Sequence, residues 1–187
     1  MKAVLISIQP KWCAKIANGE KTIEVRKNKP KLETPFKCYI YCTKEKLALL
    51  MDDSDIEKYK YDVWETTEFH QSCGKKILGG KVIGEFVCKA ILPISITYSD
   101  QNSRVALREF PSICLTDKEI MDYLGNGKEG YGWCISDLVI YDKPKELSEF
   151  YRHDNTYNNA FGWLLEDREK NTPITRPPQS WCYVEDM

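Results

Sequence analysis

The apolar residues of this chain fall in short, strand-like runs, and that spacing limits the folds open to it more than any other feature. "VLISI" (4–8), "KTIEVRK" (21–27), "FKCYIYC" (36–42), "KVIGEFVCKAIL" (81–92), "YGWCISDLVIYD" (131–142) and "WCYVE" (181–185) are rich in β-branched and aromatic residues, several with period-2 alternation. Between them lie only short helical patterns. "QPKWCAKIANGE" begins with Pro10 at a natural first helical position, repeats apolar residues at Trp12, Cys13, Ile16 and Ala17, and stops at Gly19. "TDKEIMDYLGNG" carries Thr116 and Glu119 at the spacing of a capping box and ends at Gly125 or Gly127. "KPKELSEFY" (143–151) reads as a short helix from Pro144, "KEKLALLM" (44–51) as a turn or two, and "AFGWLLEDREK" (160–170) as helical. Regular βαβ units need longer helices than these. The pattern predicts an α+β chain: a mixed, curved sheet closing into a small β-barrel, with short peripheral helices. The 187 residues suit one domain over 1–187, with a polar surface excursion at about 52–80 and a C-terminal elaboration at about 143–187. Gly84, inside the fourth run, predicts a bulge or a close backbone approach.

Composition narrows the function. No run approaches the roughly 20 apolar residues that cross a bilayer, and "VLISI" is too short for the core of a signal peptide, so no membrane partner and a cytoplasmic location are expected. Eight cysteines without a secretory signal read as reduced thiols. No CxxC occurs, and Cys38 and Cys42, four apart on a strand, are about 13 Å from one another, so no metal and no other cofactor is expected. Net charge is −1, which gives no global field for a long duplex. Charge is nevertheless uneven: residues 11–31 hold seven Lys/Arg against Glu20 and Glu24, whereas residues 115–187 hold 14 acids against 8 bases. The basic segment is either a solvated face or a small rim for one or a few phosphates.

The second run poses the central question. Thr22, Glu24 and Arg26 alternate with Ile23 and Val25, so a hydroxyl, a carboxylate and a guanidinium share one face of a strand. That face is either solvated or the lining of a polar pocket. Lys21 stands where the helix hands over to the strand. A helix C-terminus favours a cation there, and burial would instead lower the amine's pKa and suit it to act as a base. Glu85, between Gly84 and Phe86, shares a face with Ile83 and Val87 if the alternation holds, which places it in the core or, if the glycine shifts the register, in solvent. Asp137 falls in phase with Trp133 and Ile135, and reads as a site residue or as a cap at a strand end. Trp12, Tyr41 and Trp133 are either ordinary core or stacking platforms for bases. GxSxG, HExxH and P-loop patterns are absent, and the glycine-rich "GNGKEGYG" (125–132) precedes a strand rather than a helix, so it reads as a connection.

At "SIQPKW", "NGEKTIEVRK" and "GWCISDL" the chain resembles an ASCH domain of the PUA-like superfamily: a strand, a short helix ending in G-x-K-T, then a strand carrying x-E/T-x-R. The resemblance implies a PUA-like β-barrel with a cleft beside the Lys-Thr strand, and RNA or a nucleoside or nucleotide as partner. Small bacterial relatives are amidohydrolases on N4-acetylcytidine, in which the motif lysine acts with a threonine three residues later and a downstream glutamate. Here Lys21 matches the lysine, Glu24 stands at the threonine's position, and Glu85 or Glu119 corresponds to the glutamate. Three functions follow from the combined reading. The first is a nucleobase or single-stranded RNA reader using Lys21, Thr22, Glu24, Arg26, Trp12, Tyr41, Trp133 and Asp137. The second is an amidohydrolase on an acylated nucleoside with Lys21, Glu24 and Glu85 as its catalytic groups. The third is a protein-interaction module, with an unknown partner, using the 52–80 excursion and the acidic C-terminal region.

Overall fold

The computed structural model describes residues 1–44, 67–69, 76–77, 79–99, 102–105, 111–125, 128–153 and 173–187. The helical readings over "KEKLALLM" and "AFGWLLEDREK", and most of the 52–80 excursion, lie outside the described residues. Within the described residues the chain runs β1 (Lys2–Ile8), α1 (Pro10–Ala17), β2 (Ile23–Arg26), β3 (Phe36–Cys42), a two-strand ladder β4 (Thr67–Phe69) and β5 (Lys76–Ile77), then β6 (Val82–Ile94). A hairpin β7 (Ile96–Ser99) and β8 (Asn102–Val105) follows, then α2 (Asp117–Leu124), β9 (Gly130–Lys145) and β10 (Trp181–Glu185).

Six strands form one mixed sheet in the order β10-β1-β3-β6-β9-β2, with β1 and β3 parallel and every other pair antiparallel. The sheet curls but its backbone ladder does not close into the anticipated barrel. The edge strand β2 has four residues, and side chains span the gap it leaves. Arg26 donates through Nη2 to the Ser7 carbonyl on β1 at 2.6 Å and through Nη1 to Ser180 Oγ beside β10 at 3.4 Å. Behind it Trp133 on β9 lies 6.0 Å, ring to ring, from Trp181 on β10.

β1 is buried on both faces, as its unbroken apolar run requires. Val4, Ile6 and Ile8 join Cys38, Ile40, Phe86 and Trp133 under α1. Ala3 and Leu5 face the other way, to Tyr39, Tyr41, Val82, Leu147 and Phe150. A third cluster packs Ile23 and Val25 of β2 against Ile120 and Leu124 of α2. The helix ends follow the local chemistry: Pro10 opens α1, Gly19 at φ +75° lies just beyond its Asn18 cap, and Thr116 with Glu119 closes a reciprocal capping box on α2.

Three local readings are settled or corrected. Gly84 does mark a bulge: the β6–β9 register shifts between Val82 and Gly84, and a Cβ on Gly84 would stand 2.3 Å from the Val139 carbonyl. The helix anticipated from Pro144 is not formed. β9 continues through Lys145, where it still pairs with Val82, and only Leu147–Glu149 make a 3-10 turn. Glu85 does not share a face with Ile83. The bulge resets the alternation, so Ile83 and Phe86 enter the cluster under α1 while Glu85 turns to Lys37 and Tyr141 on the other side.

Candidate functional site

A cavity of about 470 Å³ opens between α1, β2 and α2. Its floor is the segment that follows α1. The Lys21 N–H returns to the Lys15 carbonyl at 3.0 Å, which turns the lysine inward after Gly19. Its Nζ donates to the Ile113 carbonyl at 2.6 Å and lies 3.5 Å from Glu24 Oε2. Glu24 Oε1 is 2.9 Å from Arg26 Nη2. All three side chains are nearly closed off from solvent, with Lys21 at 1%, Glu24 at 6% and Arg26 at 6% exposure. Two cations and one carboxylate therefore leave a net charge of +1 in a buried trio.

Burying such a trio is expensive unless each member is paired. The sequence solves this by alternation: Glu24 and Arg26 share the inward face of β2 while Ile23 and Val25 pack outward against α2. Burial pulls the Lys21 amine below its ordinary pKa, and the Glu24 carboxylate opposes that shift without cancelling it.

Trp12 of α1 forms another wall, with the Lys21 ammonium 5.2 Å from its ring centroid and Lys11 4.4 Å from it. α2 supplies the opposite wall through Glu119, Asp122 and Tyr123. These residues at i, i+3 and i+4 fall on one helix face; the sequence reading singled out Glu119 alone, and this helical spacing is the signal that would have added Asp122 and Tyr123. Glu119 accepts the Thr116 N–H at 2.9 Å and its hydroxyl at 3.0 Å; these bonds, helped by Lys11 and Lys21, hold its carboxyl below the usual range. Ser7, Gln9, Thr43, Leu115 and Gln179 complete the lining together with Val25, at the seam between β2 and α2. Ser7 and Gln9 fall in the "SIQPKW" stretch, though neither was singled out as a site residue, and no motif marked Thr43, Leu115 or Gln179.

Several anticipated site residues stand elsewhere. Thr22 is exposed and takes part through its backbone, donating to Ser112 O and accepting from the Ile135 N–H. Tyr41 is buried on the other side of the sheet with Val82 and Phe150. Trp133 is fully buried, packed edge-on against Phe36 at 5.7 Å, and outside the cavity lining. Asp137 is exposed within β9, in a left-handed backbone conformation at φ +49° where the β6–β9 register is bulged. Glu85 belongs to a separate network in which Lys37 lies 3.6 Å from it and 3.1 Å from Asp186, and the Tyr141 hydroxyl donates to its carboxylate. Of the two glutamates open at the sequence level, Glu119 lines the cavity and Glu85 does not.

Among the described residues no cluster of three metal-ligating side chains occurs, and no helix is long and apolar enough to cross a membrane. Cys13 and Cys42, behind the cavity wall, are free and buried, and burial together with their mutual contact raises the Cys13 thiol well above its ordinary pKa.

No family model and no curated protein matches this chain in sequence. Solved structures do match. The crystal structure of ASCH from Zymomonas mobilis aligns with a TM-score of 0.56 at 18% identity, covering 98% of this chain and 87% of that one. A Tyr-to-Phe variant of the same protein aligns at 0.55 with 16% identity, covering 99% and 91%. A Ser-to-Ala variant aligns at 0.54 with 16% identity, covering 98% and 88%. The correspondence takes in nearly the whole of both chains, and this chain has the fold of an ASCH-domain protein.

Proposed function

We propose that the cavity binds a nucleobase, as a free nucleoside or nucleotide or within single-stranded RNA. The observation that carries this reading is the buried Lys21–Glu24–Arg26 trio on the wall of a ligand-sized space. Its volume lies within the range of small-molecule sites, roughly 300–1,000 Å³. The trio offers donors and an acceptor side by side: Lys21 and Arg26 toward a carbonyl or ring acceptor, Glu24 toward an exocyclic amine. Trp12 and Tyr123 supply aromatic faces on which a base stacks, worth about 1–3 kcal/mol per base. The test is calorimetric titration with a panel of nucleosides, nucleotides and short RNAs. Binding that disappears on Lys21→Met and persists on Trp12→Phe supports a polar pocket. No detectable affinity for any member of the panel rejects it.

One observation favours a second reading, hydrolysis of an acylated nucleoside. An amine with lowered pKa lies 3.5 Å from a carboxylate inside the cavity, an arrangement suited to proton transfer. In this scheme water adds to the amide carbonyl and gives a proton to Glu24 or neutral Lys21. The developing oxyanion faces Arg26, and the proton passes to the departing amino nitrogen as the C–N bond breaks. Glu24, where small relatives carry threonine, serves as base rather than nucleophile. Incubation with N4-acetylcytidine, with free cytidine followed by chromatography, decides it. Release by the wild type and not by Lys21→Met or Glu24→Gln supports hydrolysis; equal release by the variants removes these residues from the chemistry.

A further inference from the structure

We infer that the base held in the cavity belongs to a single-stranded polynucleotide whose adjoining phosphates leave the mouth along Lys27 and Lys29. The inference rests on the nucleobase reading, narrows it to the polynucleotide and adds a path for its phosphates.

The path begins where the buried trio ends. Lys27 directly follows Arg26, and its ammonium lies 5.2 Å from the ring centroid of Tyr123, a partly exposed residue on the α2 wall of the cavity. One step further, Tyr131 of β9 is the register partner of Arg26, and the Lys29 ammonium lies 5.4 Å from its ring. Two lysine–tyrosine pairs thus continue one cavity wall outward. The stretch "RKNKPK" (26–31) holds four cations, and no acid lies between Val25 and Leu32.

The loop that carries them is fixed rather than free. Pro30 is buried, and the Lys31 N–H donates to the Tyr183 hydroxyl at 2.7 Å, while the side chains of Lys27, Lys29 and Lys31 point to solvent. An anchored backbone with Lys27 and Lys29 each resting over a ring has less side-chain freedom to lose when a phosphate binds. A phenol vacated by its ammonium then offers a stacking face to the next base. The same α2 wall presents Glu119 and Asp122 to the cavity. Those carboxylates repel a polyanion, and the lysine–tyrosine strip gives it a cationic path away from them. A lone nucleoside, with no phosphates, gains nothing from such a strip.

The test measures fluorescence anisotropy of single-stranded RNAs of one, four, eight and twelve nucleotides across a sodium chloride series. It uses the wild type, the pair Lys27→Gln/Lys29→Gln, and the control pair Lys143→Gln/Lys145→Gln, which removes the same charge at the far end of β9. Nucleoside binding is measured alongside by calorimetry. The expected result is affinity that rises from one to eight nucleotides, and a strip variant that loses that gain. Its log–log salt slope should be shallower by about 1.4, at roughly 0.7 for each of two phosphates, with nucleoside affinity unchanged. Length-independent binding, a strip variant equal to the wild type, a control pair equally weakened, or tighter binding of an acidic peptide than of RNA would each overturn the inference. In every one of these cases retained nucleoside binding leaves the cavity reading intact. Loss of nucleoside binding with RNA binding still dependent on Lys27 and Lys29 would instead reject the cavity reading and keep the strip.

Discussion

Replacing Glu24 by alanine removes the carboxylate that separates two buried cations, and its cost follows from the geometry. Lys21 Nζ and Arg26 Nη2 lie 3.5 Å and 2.9 Å from its two oxygens. At an effective dielectric constant of about 20 these contacts carry Coulomb attractions of roughly 5 and 6 kcal/mol. Against them stands a desolvation penalty of several kcal/mol per ion, so the net loss on truncating one partner is about 3–5 kcal/mol. For a domain of this size that lowers the melting temperature by on the order of 10 °C. The sharper prediction concerns sign. In the wild type, Lys21→Met is destabilising, because it removes an attraction to Glu24 and leaves the Ile113 carbonyl without its donor. In the Glu24→Ala background the same substitution becomes stabilising, since Lys21 is then an unopposed charge beside Arg26. Urea denaturation followed by circular dichroism on the four proteins measures the cycle, with a coupling of at least about 1 kcal/mol anticipated for groups in contact. A Glu24→Ala cost under about 1 kcal/mol, or additive single effects, would refute the account of the trio.

The pH dependence of that same lysine is a separate check. Because burial lowers its folded-state pKa below the ordinary 10.5, the unfolded chain binds the proton more readily across that window. Wild-type stability relative to Lys21→Met therefore rises as pH climbs from the lowered pKa to 10.5, and is lost as pH falls back through it; denaturant midpoints for both proteins across that range would show it. Gly84→Ala should cost about 3 kcal/mol or more, since the new methyl meets the Val139 backbone carbonyl rather than a side chain able to move, as thermal melts would record. Thr116→Ala should cost about 1 kcal/mol as a lost N-cap and, by freeing Glu119 from the hydroxyl and N–H arrangement that orients it, should weaken ligand binding by calorimetry. Glu85→Gln should leave binding and turnover at wild-type values, because its partners Lys37 and Tyr141 belong to a network outside the cavity; a loss of either would place that glutamate back in the site.

Period-2 and period-3.6 patterns, proline and glycine punctuation and the capping box were enough to mark β1, α1, β2, β3, β6, α2, β9 and β10, because each depends on residues adjacent in the chain. The alternation of Glu24 and Arg26 likewise established that both share one face. What local pattern could not supply is which face the rest of the chain covers. β2 lines a cavity because Trp12, Ser7 and the α2 helix close over it, and those residues come from three other parts of the sequence. The sequence left Glu85 open between core and the opposite face because a register shift at the Gly84 bulge changes which face it takes, and only pairing with β3 and β9 reveals that shift. Trp133 and Tyr41 had the chemistry of stacking residues but went to the core, since a sheet covered on both sides buries whatever large apolar groups it carries. The sequence by itself determined the elements, the helix ends and the phase of the polar residues along β2. The tertiary structure alone decided that Lys21, Glu24, Arg26 and Glu119 face one cavity, because that depends on long-range packing and register, to which short-range periodicity is blind.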